Sequence, residues 1–392
     1  MTKRAFPRDL SQHFSLFRQA AAGRLHVAAH SHHFWPDVTR AAQLRCWDDA
    51  ARLVDDKWGE VLGPVWSRVA AGLARHLNLP SPESLALAPN THEFVNRLLS
   101  CCAPGRPVRI LTSDGEFHSF RRQTQRLAEE GLVELVIVPA EPFESFTARF
   151  VAAGREAGRI DLVFVSQVLF NSGYALPDLP GLVEALVAPD RLIVIDGYHG
   201  FLARPTDLAP IADRAFYLAG GYKYAMGGEG IGFLHSPPGI APRPRNTGWY
   251  AAFGALAGPQ DEVAYAESGW RFMGATFDPS GLYRFDAVLS WMAEHGIDAG
   301  GAQAHAQALQ ALFLAGLPAL RHPVLAPANL VVAHAADRGN FLTFRHEQAA
   351  ACHRALHEAG IITDVRGDRL RVGFGLYHTE GDIAALLERL RG

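Results

Sequence analysis

Two residues in the middle of the chain, Asp196 and Lys223, are of types and in settings that could do chemistry. The run Leu192-Ile193-Val194-Ile195 reads as a buried strand and delivers Asp196 at its carboxyl end, followed by Gly197-Tyr198-His199. In an open α/β sheet, ligands sit outside that end of the strands. Twenty-seven residues later, Lys223 stands in Gly220-Gly221-Tyr222-Lys223-Tyr224-Ala225-Met226-Gly227-Gly228-Glu229-Gly230. A surface lysine keeps polar neighbours, whereas this one is flanked by aromatics and glycines. Glycines let backbone approach a bulky ligand closely, and apolar surroundings lower a lysine pKa toward nucleophilic neutrality. A carboxylate that keeps a pyridine nitrogen protonated, with a lysine that condenses with an aldehyde, fits pyridoxal 5′-phosphate (PLP) chemistry. The alternative for Asp196 is a turn former or helix cap, a common duty of Asp at a strand end.

Those residues need elements to hold them. Short apolar runs ending in polar or glycine turns predict strands at 84–88, 108–112, 133–139, 162–166, 192–196, 215–219 and 230–235. Helical patterns lie between several of them, at 93–102, 120–130, 146–157 and 179–186. This alternation predicts an α/β fold with a mostly parallel seven-stranded sheet covered by helices on both faces. Segment 236–279 is rich in Pro, Gly and aromatics and reads as irregular. After it come helical patterns at 283–295 and 302–315, then strand, helix, strand pair and helix to residue 390. The expected division is an N-terminal segment with a large domain over 1–279 and a smaller α+β domain over 280–392.

Bulk properties set limits on function. A net charge of −3 and a pI near 6.7 give no basic surface for nucleic acid or acidic membranes. No run of 18 apolar residues exists to span a membrane, and Met1–Arg8 lacks the apolar core of a signal peptide. Cys46, Cys101, Cys102 and Cys352 have neither metal-finger nor disulfide-framework spacing. The expectation is a cytoplasmic protein acting on a small molecule, with no metal.

The motif Asp196-x-x-His199, followed by Tyr222-Lys223-Tyr224 and Gly227-Gly228-x-Gly230, resembles the fold-type I PLP enzymes of aminotransferase class V, and within them kynureninase most. The resemblance runs from about residue 25 to the C-terminus. It implies the PLP-dependent transferase fold, PLP held as a Schiff base on Lys223, an amino acid substrate, and a homodimer with shared active sites. Asp196, Lys223 and Tyr222 are then the catalytic group, with His199 beside the cofactor.

Further stretches carry single roles over. Pro89-Asn90-Thr91-His92-Glu93 opens a helix, whose free N–H groups and dipole suit a phosphate; the resemblance gives that role to Thr91 and the backbone of His92 and Glu93. Phe117, in Ser113-Asp114-Gly115-Glu116-Phe117, takes the place of a ring on the cofactor face. Ser166 corresponds to a cofactor-contacting serine. Arg371, in Gly360-Ile361-Ile362-Thr363-Asp364-Val365-Arg366-Gly367-Asp368-Arg369-Leu370-Arg371, inherits the binding of the substrate α-carboxylate, work that suits planar bidentate geometry. Trp249 and Asp278 are implied to reach the cofactor of the partner subunit.

The chain also departs from the kynureninase pattern. Asp278 stands where Asn is expected, and Val54 lies near the place of a substrate-facing His. Ala29-His30-Ser31-His32-His33 replaces the Gly-Asn-Ser-Leu-Gly turn. His32 and His33 are assigned to the substrate entrance, against the alternative of a plain surface loop. The reaction expected is hydrolysis of a Cβ–Cγ bond in a kynurenine-type substrate to alanine and an aromatic acid. Transamination or another PLP lyase reaction is the first alternative, and a non-enzymatic PLP-fold protein the second. Desulfurase activity asks for a cysteine in the loop before Arg371, and Cys352 falls instead in the preceding helix.

Overall fold

The computed structural model describes residues 9–255, 258 and 261–391; the Met1–Arg8 run lies outside them. Seven strands form the central sheet, in the order Leu85–Ala88, Gly232–His235, Phe216–Gly220, Leu192–Asp196, Leu162–Ser166, Val108–Ser113 and Val133–Val138. The five strands from Phe216–Gly220 to Val133–Val138 run parallel, while Gly232–His235 is antiparallel to both its neighbours. Parallel strands covered on both faces read as continuous apolar runs, and Leu162–Ser166 is buried at every position. Helices Thr91–Cys101, His118–Glu129, Phe146–Glu156 and Leu179–Leu186 connect them. The architecture is the α/β fold expected from the alternation.

The N-terminal quarter contains helices absent from the expected elements: Trp66–Leu77 buries Trp66, Val69, Leu73 and Leu77 at helical spacing, a pattern that the sequence carries. Helix Val38–Leu53 buries only Thr39, Ala42 and Cys46, a stripe of small residues with almost no apolar signal. It packs along Ser280–His295, as does Trp66–Leu77. Ser280–His295 in turn buries Leu282, Tyr283, Phe285, Val288, Leu289, Trp291 and Met292 in the same core as the large sheet. The large core thus continues past residue 279 into this helix, and Ala302, Leu376 and Tyr377 belong to it as well.

The second core gathers Leu309, Phe313, Leu342, Phe344, Leu370, Val372 and Phe374 under an antiparallel sheet of Asp364–Arg366, Arg369–Gly373 and Phe341–Arg345. Val27 joins this core from the N-terminal segment, because Leu25–His26 pairs in parallel with Ile361–Ile362. Among the described residues, no helix is long and apolar enough to cross a membrane.

Candidate active site

The carboxyl ends of the parallel strands converge on a cavity of about 170 Å³. Ser166 and Asp196 are cross-strand partners at the ends of adjacent strands, and both line it. Lys223 enters from the turn after Phe216–Gly220. Gly220 is needed there, because a Cβ on it would stand 2.1 Å from the Tyr198 hydroxyl.

Lys223 is 4% exposed, and its Nζ lies 2.8 Å from Nε2 of His199. Nζ also sits 4.5 Å from the ring centre of Tyr198, 5.3 Å from Phe117 and 5.8 Å from Tyr222. Burial pulls the Lys223 pKa down to about 7, partly opposed by the Asp196 carboxylate. Burial likewise holds His199 well below the ordinary histidine range. At a pKa near 7 the amine reaches its free-base form at neutral pH far more readily than an ordinary lysine does. Asp196 is pushed up by burial, against the Tyr198 N–H at 2.9 Å and the Lys223 charge; a cation beside it would relieve that cost.

At the other end of the cavity, Asn90, Thr91 and His92 line the start of helix Thr91–Cys101. Asn90 caps the helix by accepting the Glu93 N–H at 3.2 Å. The Glu93 N–H, expected to be open to a ligand, therefore has a partner within the chain.

A family model for aminotransferase class V matches residues 73–386. The chain belongs to aminotransferase class V. It is accordingly a PLP-dependent enzyme. It is 28% identical to a kynureninase of Deinococcus radiodurans over 375 residues, covering 87% of this chain and 86% of the relative. It is 34% identical to an isopenicillin N epimerase of Streptomyces clavuligerus over 197 residues, 48% of this chain and about half (47%) of that relative's length. Among solved structures, a mutant of C-DES with glycine covalently linked to its PLP cofactor superposes with a TM-score of 0.80 at 19% identity, covering 95% of this chain and 97% of that one. A cysteine desulfurase from Thermococcus onnurineus superposes with a TM-score of 0.78 at 16% identity, covering 100% and 98%.

The cavity of this class V enzyme fits PLP on its own chemistry. Nδ1 of His92 and Nδ1 of His199, both on lining residues, are buried without hydrogen-bond partners, which marks a site built for a polar group. A buried carboxylate, a lysine of lowered pKa and a helix start stand around one space. Phe117 lines it in edge-to-face contact with Phe170 at 5.4 Å.

Several residues assigned from the sequence lie elsewhere. Arg371, 2% exposed, does not line the cavity; it donates to the Phe170 carbonyl and to Asp364, its cross-strand partner. Its guanidinium lies 5.6 Å from the Phe170 ring centre, and Phe170 lines the cavity. Asp364 also binds Arg366 at 2.7 Å. His33 is withdrawn from the predicted entrance: it is 2% exposed, its Nδ1 donates to the Phe34 carbonyl at 2.6 Å, and its Nε2 accepts the Leu376 N–H at 3.1 Å. His32 is exposed and stacks on Tyr222 at 5.0 Å, with Glu229 at 3.6 Å. His30 is buried against Phe341, 3.9 Å from Asp364. The three histidines thus point to three surroundings rather than to one metal.

Trp249 is 43% exposed and stacks on Tyr250 at 4.2 Å. Asp278 stands just before helix Ser280–His295, accepting from the N–H and hydroxyl of Ser280 at 2.9 Å each. Neither lines this chain's cavity, and Val54 is exposed at the end of Val38–Leu53. Sequence reasoning passed over Asn90, Tyr198, Phe170 and Glu116. Asn before a helical Thr was the available signal for Asn90, and Asp196-x-Tyr198 for the tyrosine.

Proposed function

We propose that this class V enzyme is a kynureninase-like hydrolase that cleaves the Cβ–Cγ bond of a β-acyl amino acid, giving alanine and an aromatic acid. The observation that carries the reading is Phe117, an aromatic face set 5.3 Å from the Lys223 amine, where the kynureninase pattern has Phe and the desulfurase pattern His. The similarity to a kynureninase along most of both chains supports it. Sulfur transfer is poorly served: Cys352 lies in helix Ala349–Glu358, and burial pushes its thiol up to about 11.

PLP, when bound, supplies an aldehyde for the substrate amine and a ring that takes up electrons released at Cα. The chain's residues do the rest. Thr91 and the N–H of His92 hold the phosphate, and Asp196 keeps a proton on the ring nitrogen. Lys223 anchors the cofactor and, once displaced by substrate, removes the Cα proton, for which its lowered pKa suits it. His199 orients Nζ. Tyr222 and Ser166 complete the polar wall, and Phe117 keeps water from the cofactor face. Arg371 takes the α-carboxylate in exchange for part of its present pairing. We also propose a cytoplasmic homodimer in which Trp249 and Asp278 reach the partner's cavity, and His32 borders the entrance.

A second reading confines the reaction to Cα, as in transamination or epimerisation. It is supported by the similarity to isopenicillin N epimerase and by Asp278 in place of Asn. One experiment separates the two: incubate the PLP-loaded protein with kynurenine, 3-hydroxykynurenine and a panel of amino acids in D2O. Alanine and an anthranilate establish Cβ–Cγ hydrolysis; an oxo acid, or solvent deuterium at Cα without cleavage, establishes the second reading.

A further inference from the structure

Behind the Ser166 wall lies a carboxyl group that the scheme above leaves without work. Glu116 is fully buried in the turn between strand Val108–Ser113 and helix His118–Glu129. Its Oε1 accepts the Ser113 hydroxyl at 2.6 Å and the Ser166 N–H at 3.2 Å, and its Oε2 accepts the Ser166 hydroxyl at 2.5 Å. The Ser113 hydroxyl itself accepts the Gly115 N–H at 3.1 Å. Three donors favour the anion, while burial opposes it and raises the pKa to about 7, with the Asp196 carboxylate adding to the rise. Asp196 in turn feels the charge of Lys223. Both protonation states of Glu116 are therefore within reach near neutrality.

The two states give Ser166 opposite polarity. With Glu116 ionised, Ser166 spends its hydroxyl hydrogen on the carboxylate and offers only lone pairs to the cavity. With Glu116 protonated, the carboxyl O–H donates to Ser166, whose own hydrogen turns free. Ser166 stays neutral throughout, and one proton from solvent is gained or lost at Glu116. We propose that Glu116 is a positioning residue which, through Ser166, sets whether this wall accepts a hydrogen bond from the bound cofactor or donates one to it. The inference rests on PLP occupying this cavity and is independent of the reaction catalysed.

A structural tie between strand ends would survive as Gln, whose amide both accepts and donates but cannot titrate, so Glu116→Gln separates the two roles. The test is a pH titration, from about 5.5 to about 9, of the visible absorption of PLP-loaded protein. Wild type is expected to show a step near neutrality. Glu116→Gln is expected to lose it with cofactor content kept, and Ser166→Ala to shrink it strongly. Ser113→Ala, which removes a donor to the carboxylate from outside the cavity, is expected to move it upward by about one pH unit; it carries the test alone if Glu116→Gln fails to load. A band with no step, or a step unmoved in Glu116→Gln and Ser113→Ala, overturns the inference. A wild-type protein whose visible band survives Lys223→Ala overturns the cavity assignment beneath it.

Discussion

Lys223 Nζ and His199 Nε2 face each other at 2.8 Å inside the protein, and burial lowers the pKa of both groups. Burying an ammonium is costly, and with His199 neutral the contact is a hydrogen bond rather than an ion pair, made by an amine that gives up its proton readily. Covalent chemistry should be confined to this amine. Borohydride reduction of the yellow protein followed by peptide mapping is expected to label Lys223, and Lys223→Ala is expected to abolish the visible band. The sequence holds two other lysines, Lys3 and Lys57, and a label on either refutes the assignment.

The substrate anchor gives a graded prediction. Arg371→Lys should keep the cofactor while lowering kcat/KM about 30-fold to several thousand-fold, equivalent to about 2–5 kcal/mol. An ammonium cannot supply the two parallel N–H donors of a guanidinium. Arg366→Lys should cost far less, since Arg366 is 38% exposed and meets Asp364 from the solvent side. Steady-state kinetics at matched PLP content decide, and equal kcat/KM for wild type and Arg371→Lys would show that the carboxylate is held elsewhere.

Buried histidines make the fold sensitive to acid. Burial lowers His26, His76 and His235 to about 4, and His33 and His378 to about 3. Between those values and the ordinary 6.5, the unfolded chain binds protons that the native chain refuses, so stability rises with pH there and is lost as pH falls. Each such histidine contributes up to about 1.4 kcal/mol per pH unit. Urea midpoints should drop markedly from about pH 7 to about pH 5, and His33→Gln should flatten the slope. A midpoint that does not change over that range would rule the idea out.

Assembly is the fourth prediction. Trp249 and Phe253 are exposed apolar rings on one short stretch, and a homodimer buries them if Trp249 serves the partner's site. Sedimentation should give a dimer mass, and Trp249→Ala should reduce activity at full PLP occupancy. A monomer with full activity at nanomolar concentrations contradicts this.

Much of the site was legible because the sheet announces itself. Leu162–Ser166 and Leu192–Asp196 are apolar runs closed by one polar residue, and their predicted bounds match the structure. Lys223 stood out by contrast with its neighbours. Glu116 did not: an acid beside Gly115 and Asp114 reads as a solvated turn, and its burial depends on Ser166, fifty residues away. His33 was misplaced for a similar reason, since the N–H that occupies its ring comes from Leu376. Helix Val38–Leu53 was missed because its buried stripe is too small-sided to register as apolar.

The parallel pairing of Leu25–His26 with Ile361–Ile362 has a consequence for how the polypeptide is made. A ribosome delivers the first of these strands almost a whole chain ahead of its mate, and contacts so distant in sequence form slowly. The smaller core, with Val27 in it, therefore cannot be completed until Ile361–Ile362 has been made. Until then Leu25 and His26 have no strand to pair with, and an unpaired edge is open to pairing with other chains.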